Sequence, residues 1–301
     1  MQISIGNAPC SWGVEFADDP RNPHWTKVLD ETREAGYDGI ELGPVGFMPE
    51  DPEILGSALA ARRLVLIGGV VFSPFHDPAM WDEVQDCAVR TCRALKAHGA
   101  RQVVLIDSIS PRRAPTAGRS QEAERLTGRD LTAFSDRLRA IAKMATEEFG
   151  LTTSIHAHAG GYVEFEDELE RILEHIDSSI LSVCLDTGHS VYAGFDPVAF
   201  YRRYAERVSY LHLKDIDPVV KNRVVEKRIG FYDACALGLF CNLGRGAVDF
   251  AGLRKVMQDN AFSGWATVEQ DCDPAGPTSP LANAKTNLDF LKTVGLAFQG
   301  F

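Results

Sequence analysis

The sequence contains no apolar run approaching the ~20 residues that a membrane-spanning helix requires, which excludes a transmembrane anchor of that kind. Its first residues, MQISIGNAPCSWG, lack a basic region ahead of an apolar stretch. They read as a strand that begins at once and not as a secretion signal. No C-x-x-C pair occurs. The seven cysteines (Cys10, Cys87, Cys92, Cys184, Cys235, Cys241 and Cys272) are odd in number and scattered, which argues against a disulfide framework or a zinc ribbon. Several lie in apolar stretches, where a free thiol behaves as a small hydrophobe, so a reduced, cytoplasmic setting is expected. There is no basic excess either: 31 Lys and Arg face 42 Asp and Glu, a formal net charge of -11. Nucleic-acid binders owe much of their affinity to phosphate neutralisation, so a nucleic-acid partner is not expected and a small neutral substrate is. A membrane partner is not expected, and a homo-oligomer is compatible with these features.

What is present is a large apolar fraction in a regular order. With 45% hydrophobic and 24% charged residues over 301 positions, the chain suits a globular α/β protein. Short stretches rich in Ile, Val and Leu recur about eight times, at residues 2–7, 38–42, 64–71, 101–107, 151–157, 181–186, 208–214 and 264–269. Such runs suit strands buried on both faces. Helical periodicity lies between them. In residues 163–176, Phe165, Leu169, Ile172, Leu173 and Ile176 share one face; in residues 79–97, Trp81, Val84, Ala88, Thr91 and Leu95 do the same, with Gly99 as a stop. Asp196-Pro197 and Asp249 supply helix starts. Eight such units in one chain predict a (β/α)8 TIM barrel, a single domain over residues 1–301. The rival, a doubly wound open sheet, usually carries a glycine-rich loop after its first strand; here that position holds Pro9-Cys10-Ser11-Trp12-Gly13. Two connections, 108–127 and 216–248, are longer than a barrel needs. Both follow strands and so belong at its catalytic mouth, as functional loops or as solvated charged ones.

The chemistry-bearing residues gather at strand ends. His156 and His158 lie in Ser-Ile-His-Ala-His, His189 in Leu-Asp-Thr-Gly-His, and His212 in Leu-His-Leu-Lys-Asp. Asp186, Asp215, Glu269 and Asp271 join them at the ends of the sixth to eighth strands. In a parallel barrel these ends converge on one mouth. Residues two apart on a strand share a face, so His156 and His158 point the same way. A single buried histidine is usually a packed core residue, and a single strand-end Asp often caps the next helix. So many ionisable groups on consecutive strands, without a cation, would be costly to bury. Imidazole and carboxylate together suit Mn²⁺, Co²⁺ or Zn²⁺, in an open catalytic site and not a thiolate-rich structural one.

These residues carry a resemblance. Asn7-Ala8-Pro9 with Ser11-Trp12-Gly13, Gly39-Ile40-Glu41-Leu42-Gly43, His156-Ala157-His158 before a glycine pair, Leu185-Asp186-Thr187-Gly188-His189, His212-Leu213-Lys214-Asp215 and Gly264-Trp265 leading to Val268-Glu269-Gln270-Asp271 span nearly the whole chain. The pattern resembles the xylose isomerase-like barrels, a superfamily of sugar isomerases, epimerases and dehydratases, and within it the inosose (2-keto-myo-inositol) dehydratases. The resemblance implies a metal held by His156, Asp186, His212 and Glu269, with His156 where many relatives have glutamate. His158, Glu164 or water would complete the shell. Mn²⁺ is the first expectation, with Co²⁺, Zn²⁺ or Mg²⁺ as alternatives.

The implied reaction is metal-dependent dehydration of a cyclic polyol ketone through an enediolate. A divalent ion stabilises the developing negative charge, a base takes the α-proton and an acid protonates the departing hydroxyl. His158, His189 and Lys214 are the candidates for proton transfer and oxygen polarisation, and Trp12 and Glu41 for lining the substrate pocket. Reprotonation at the neighbouring carbon would make the same site a sugar isomerase or epimerase. An endonuclease IV-like phosphodiesterase would need more metal ligands and a basic DNA face, and a non-catalytic sugar-binding protein would need no metal.

Overall fold

The computed structural model describes residues 2–273 and 279–297. In chain order the strands are β1 (Gln2–Asn7), β2 (Gly39–Glu41), β3 (Val65–Ser73), β4 (Gln102–Asp107), β5 (Thr152–Ile155), β6 (Ser182–Asp186) and β7 (Val208–Leu213). A short antiparallel pair, β8 (Asp215–Ile216) and β9 (Phe240–Cys241), precedes β10 (Ser263–Val268). Strands β1 to β7 and β10 form a closed parallel barrel, sealed where β1 pairs with both β2 and β10. Helices α1 (Trp25–Ala35), α2 (Pro52–Arg62), α3 (Trp81–Ala97), α4 (Gly128–Phe149) and α5 (Glu166–His175) follow the first five strands in turn. After β6 come α6 (Thr187–Ala193) and α7 (Pro197–Tyr204). Between β8 and β9 lie α8 (Pro218–Lys227) and α9 (Phe231–Ala236), then α10 (Phe250–Asp259) before β10 and α11 (Pro280–Val294) after it.

Strand periodicity separates two cores. Along β4, Val103 and Leu105 pack outward against the helices, while Val104 and Ile106 point into the barrel with Cys184 and Tyr210. Alternate side chains face opposite ways, so one short apolar run fills both layers. The helix starts follow the capping rules: Asp196 accepts from Val198 N at 2.8 Å and Asp249 from Gly252 N at 2.8 Å. The expected helix at 79–97 begins at Trp81, because Pro78–Met80 winds as a 3-10 turn.

The largest departure from the sequence expectation is at the fifth strand, which ends at Ile155 and not at 157. His156 N still bonds Leu105 O at 3.0 Å, but His158 N turns to Val163 O at 2.8 Å. The reversal runs through Gly160 and Gly161. Gly160 has a φ of 78°, and a Cβ on Gly161 would lie 2.5 Å from the Asp107 carbonyl oxygen, so neither position readily accepts a side chain.

Both long connections are built structures with charged exteriors. In residues 108–127, Arg113 is fully buried and donates to Glu124 O (2.7 Å) and to Glu168 Oε2 (3.2 Å). In residues 216–248, the organiser is Asp215. Its buried carboxylate accepts from the backbone N–H groups of Ile216 (2.9 Å), Gly244 (2.8 Å), Gly246 (2.9 Å) and Val248 (3.0 Å). Asp215 is therefore a loop anchor. Asp215→Ala would strand these four amides, each worth ~1–3 kcal/mol when left unpaired. It is expected to lower unfolding free energy by at least ~3 kcal/mol in urea titration, whereas Val219→Ala on the exposed face of α8 should change it by less than ~0.5 kcal/mol. Equal stabilities for the two variants would contradict this role.

Candidate metal centre and active site

His156, Asp186, His212 and Glu269 come together at the C-terminal mouth of the barrel, each offering a ligand atom within 4.8 Å of the others. All four are buried. His156 Nε2 lies 3.2 Å from Asp186 Oδ2, and His212 Nδ1 lies 3.1 Å from Glu269 Oε2. Nδ1 of His156 is buried without a hydrogen-bond partner, and Nδ1 of His212 has only the Glu269 carboxylate beside it. Buried imidazole nitrogens normally find partners, and two imidazoles with two carboxylates are the donor chemistry of a first-row divalent ion. The residues present therefore fit a divalent metal.

The charge balance points the same way. Glu41, Asp186 and Glu269 are buried and Asp271 nearly so, yet among the described residues Lys214 is the one ammonium between them. Its Nζ reaches Asp186 (3.4 Å), Glu269 (3.0 Å) and Asp271 (2.9 Å), which together hold its pKa well above the ordinary lysine value against the opposing effect of burial. A second group of metal-type side chains, Cys10, Glu269 and Asp271, shares Glu269, but the Lys214 ammonium already lies on both of its carboxylates.

The Asp-Thr-Gly-His segment shows how local sequence builds the site. Asp186 divides its oxygens: Oδ1 caps α6 by accepting from His189 N at 2.7 Å, and Oδ2 faces His156 and Lys214. Thr187 Oγ1 donates to Lys214 O at 2.6 Å and accepts from Lys214 N at 2.9 Å, which fixes the end of β7 against α6. At Gly188 a Cβ would sit 2.8 Å from Lys214 Cγ, so glycine leaves the lysine its path into the site.

Hydrogen bonds also assign the tautomers of the remaining histidines. His158 Nδ1 donates to Ala159 O at 2.9 Å, leaving its Nε2 with a free lone pair. His189 Nδ1 accepts from Ala159 N at 3.2 Å, so its Nε2 carries the hydrogen, 3.9 Å from Asp271 Oδ2. Burial, with the neighbouring His156 and Lys214, pushes His158 down to about 3, and burial likewise holds His189 well below the usual range; both rings are neutral. Phe231 packs on both rings, at 5.0 Å from His158 and 5.5 Å from His189, and Phe240 lies 5.4 Å from His189. The connection at 216–248 thus supplies an apolar cover to the histidines. His156, His158, Lys214, Glu41, Glu269 and Asp271 open onto a cavity of about 230 Å³, room for one small molecule.

The structure departs from two expectations, for Trp12 and Glu164, and adds a role for Glu41. Trp12 is buried in the hydrophobic core and its Nε1 donates to Glu31 at 2.7 Å, so its ring packs the barrel end and does not line this cavity. Glu41 lines the cavity as expected, and its Oε1 also accepts from His212 Nε2 (3.0 Å) and Tyr210 Oη (2.8 Å). That makes it the carboxylate that orients His212, whose Nδ1 then faces the ligand group, a common arrangement for metal-binding histidine. Glu164, an alternative fourth ligand, instead accepts from Gly160 N (3.0 Å) and Gly118 N (2.6 Å) beside Arg113 and ties the 108–127 connection to the turn after β5. Glu15 was not anticipated: it lies in a connection without a recognisable motif, yet it lines the cavity.

Glu269→Ala and His156→Ala are each expected to weaken Mn²⁺ binding at least ~10-fold in calorimetric titration. Trp12→Phe, which removes the bond to Glu31 and some core volume away from the ligand group, should leave it unchanged. Normal Mn²⁺ affinity in Glu269→Ala would contradict the ligand set.

Among the described residues no helix is long and apolar enough to cross a membrane. A family profile described as "Xylose isomerase-like TIM barrel" matches residues 29–294. Inosose dehydratase of Geobacillus kaustophilus is 31% identical over 278 residues, covering 90% of this chain and 88% of that protein. The rhizopine catabolism protein MocC of Rhizobium meliloti is 30% identical over 304 residues, covering 99% and 90%. Among solved structures, the IolI protein with a bound zinc atom superposes with a TM-score of 0.75 at 14% identity over the whole of both chains, a likeness of fold. With most of its length matched by the profile, this chain belongs to the xylose isomerase-like TIM barrel family.

Proposed function

We propose that the chain is a metal-dependent hydro-lyase that removes one water from a cyclic polyol ketone of the inosose type. The observation that carries this reading is the complementary histidine pair beside the ligand group: His158 presents a lone pair and His189 an N–H, with ring centroids 4.2 Å apart. The relatives named inosose dehydratase support the substrate class. His156, Asp186, His212 and Glu269 would hold the divalent ion, Mn²⁺ in our reading, which lowers the cost of developing negative charge on the substrate's oxygens.

The chain's own residues supply the rest. His158 Nε2 is neutral, aimed into the cavity and free to accept the proton from the carbon next to the ketone. The His189 N–H and the Lys214 ammonium donate to substrate oxygens where charge accumulates. Phe231 and Phe240 keep water from the histidines, which strengthens each of these interactions. Epimerisation is a weaker second reading, because a two-base epimerase needs acid–base groups on opposite faces of the substrate, whereas His158 and His189 stack on one wall.

His158→Ala is expected to keep its metal and lose ~10²–10⁴-fold in kcat, the usual range for a proton-transfer group. With 2-keto-myo-inositol and Mn²⁺, mass spectrometry should find a product lighter by one water. A product of unchanged mass, isomerised or epimerised, would overturn the dehydratase reading.

A further inference from the structure

Elimination of water needs an acid as well as a base, and the groups placed so far do not supply one. The His189 ring is a neutral imidazole, whose N–H is a hydrogen-bond donor and not a proton source at neutral pH. The Lys214 ammonium is shared among three carboxylates. Asp271 is already engaged by Lys214 at 2.9 Å. Two further carboxyls line the same cavity, Glu15 and Asp18, and of these Asp18 is exposed to solvent. Glu15 follows the 3-10 turn Pro9–Trp12 and Gly13, whose φ of 79° redirects the chain after β1 across the mouth of the barrel. It is half-buried, and among the described residues it makes no ion pair. Its neighbour across the mouth is Tyr232 on α9, which lines a cleft with Glu15 and whose ring meets Phe16 edge-on at 6.0 Å.

We propose that Glu15 is the catalytic acid that protonates the hydroxyl group leaving the substrate. The assignment rests on the dehydratase reading above and extends it to a residue outside the metal-ligand motifs. Its place on the cavity wall supports it: burial first, then repulsion from Asp271, raises the Glu15 carboxyl above the ordinary carboxylate value against the pull of Lys214 and of the Tyr232 hydroxyl. A carboxylic acid kept neutral beside an ionised one is a recurrent way to obtain separate acid and base roles from like groups.

The step balances without redox change. His158 Nε2 takes the proton from the carbon next to the ketone, and that electron pair forms the carbon–carbon double bond. The bond to the β-hydroxyl breaks, and the Glu15 proton goes to that oxygen, which leaves as water. Glu15 becomes a carboxylate and His158 an imidazolium. The imidazolium then loses its proton to solvent and Glu15 regains one, so the net change is loss of one water from the substrate.

The test uses metal-loaded wild type, Glu15→Gln and Glu15→Asp with two probes: 2-keto-myo-inositol, and its analogue with fluorine in place of the departing hydroxyl. Fluoride leaves with far less help from an acid. Glu15→Gln should lose ~10²–10⁴-fold in kcat on the hydroxyl substrate and no more than about 10-fold on the fluoro analogue. Its Mn²⁺ affinity and its exchange of the α-proton in D₂O should persist, and Glu15→Asp should recover part of the lost rate. Glu15→Gln dehydrating within about 3-fold of wild type, or losing equally on both probes, would overturn the Glu15 assignment alone. Absence of water loss in wild type would overturn the dehydratase reading and this role with it.

Discussion

The site is governed by an excess of buried negative charge. Glu41, Asp186, Glu269 and Asp271 converge where the barrel strands end, and Lys214 is the fixed ammonium among them. Coulomb repulsion between carboxylates is weakly screened in such a place, and desolvation of each is costly. A divalent cation joining the lysine would offset this charge, and His156 Nε2 and His212 Nδ1, which face Asp186 at 3.2 Å and Glu269 at 3.1 Å, are the nitrogens we propose as its further donors. A cation held this way has the chemistry to stabilise an enediolate.

The scaffold serves that balance. Parallel strands deliver ligands from β6, β7 and β10 to one end, and each next connection begins with the residues that set their angle. Asp186 caps α6 and faces the site with its second oxygen. Glu41, from β2 across the barrel, turns His212. Asp215 gathers four backbone amides and so fixes the connection whose Phe231 and Phe240 cover the histidines. Stability and catalysis meet in this loop, because the order that Asp215 imposes at its base is what excludes water at its tip.

The barrel was legible because apolar runs on both-faced strands and amphipathic helices alternate plainly, and because cap residues such as Asp196 and Asp249 mark helix starts. The coming together of His156, Asp186, His212 and Glu269 was legible too, since strand ends in a closed parallel barrel converge. What sequence spacing could not give was the direction of the chain after a strand ends. The turn at Gly160-Gly161 depends on the Asp107 carbonyl, a contact distant in sequence. Trp12 adjoins the first strand end as a pocket residue would, but the 3-10 turn there rotates it toward Glu31 on α1. The place of Glu41 on the cavity wall was legible, but nothing local reveals Tyr210 and His212 beside it. Glu15 sits among ordinary loop residues, and only the closed fold brings it to face Lys214 and Asp271.

The most direct measurement is an anomalous-scattering map from crystals grown with Mn²⁺. The account predicts one strong peak per chain, within bonding distance of His156, Asp186, His212 and Glu269. A peak seated instead at Cys10 and Asp271, or none at saturating Mn²⁺, would contradict it.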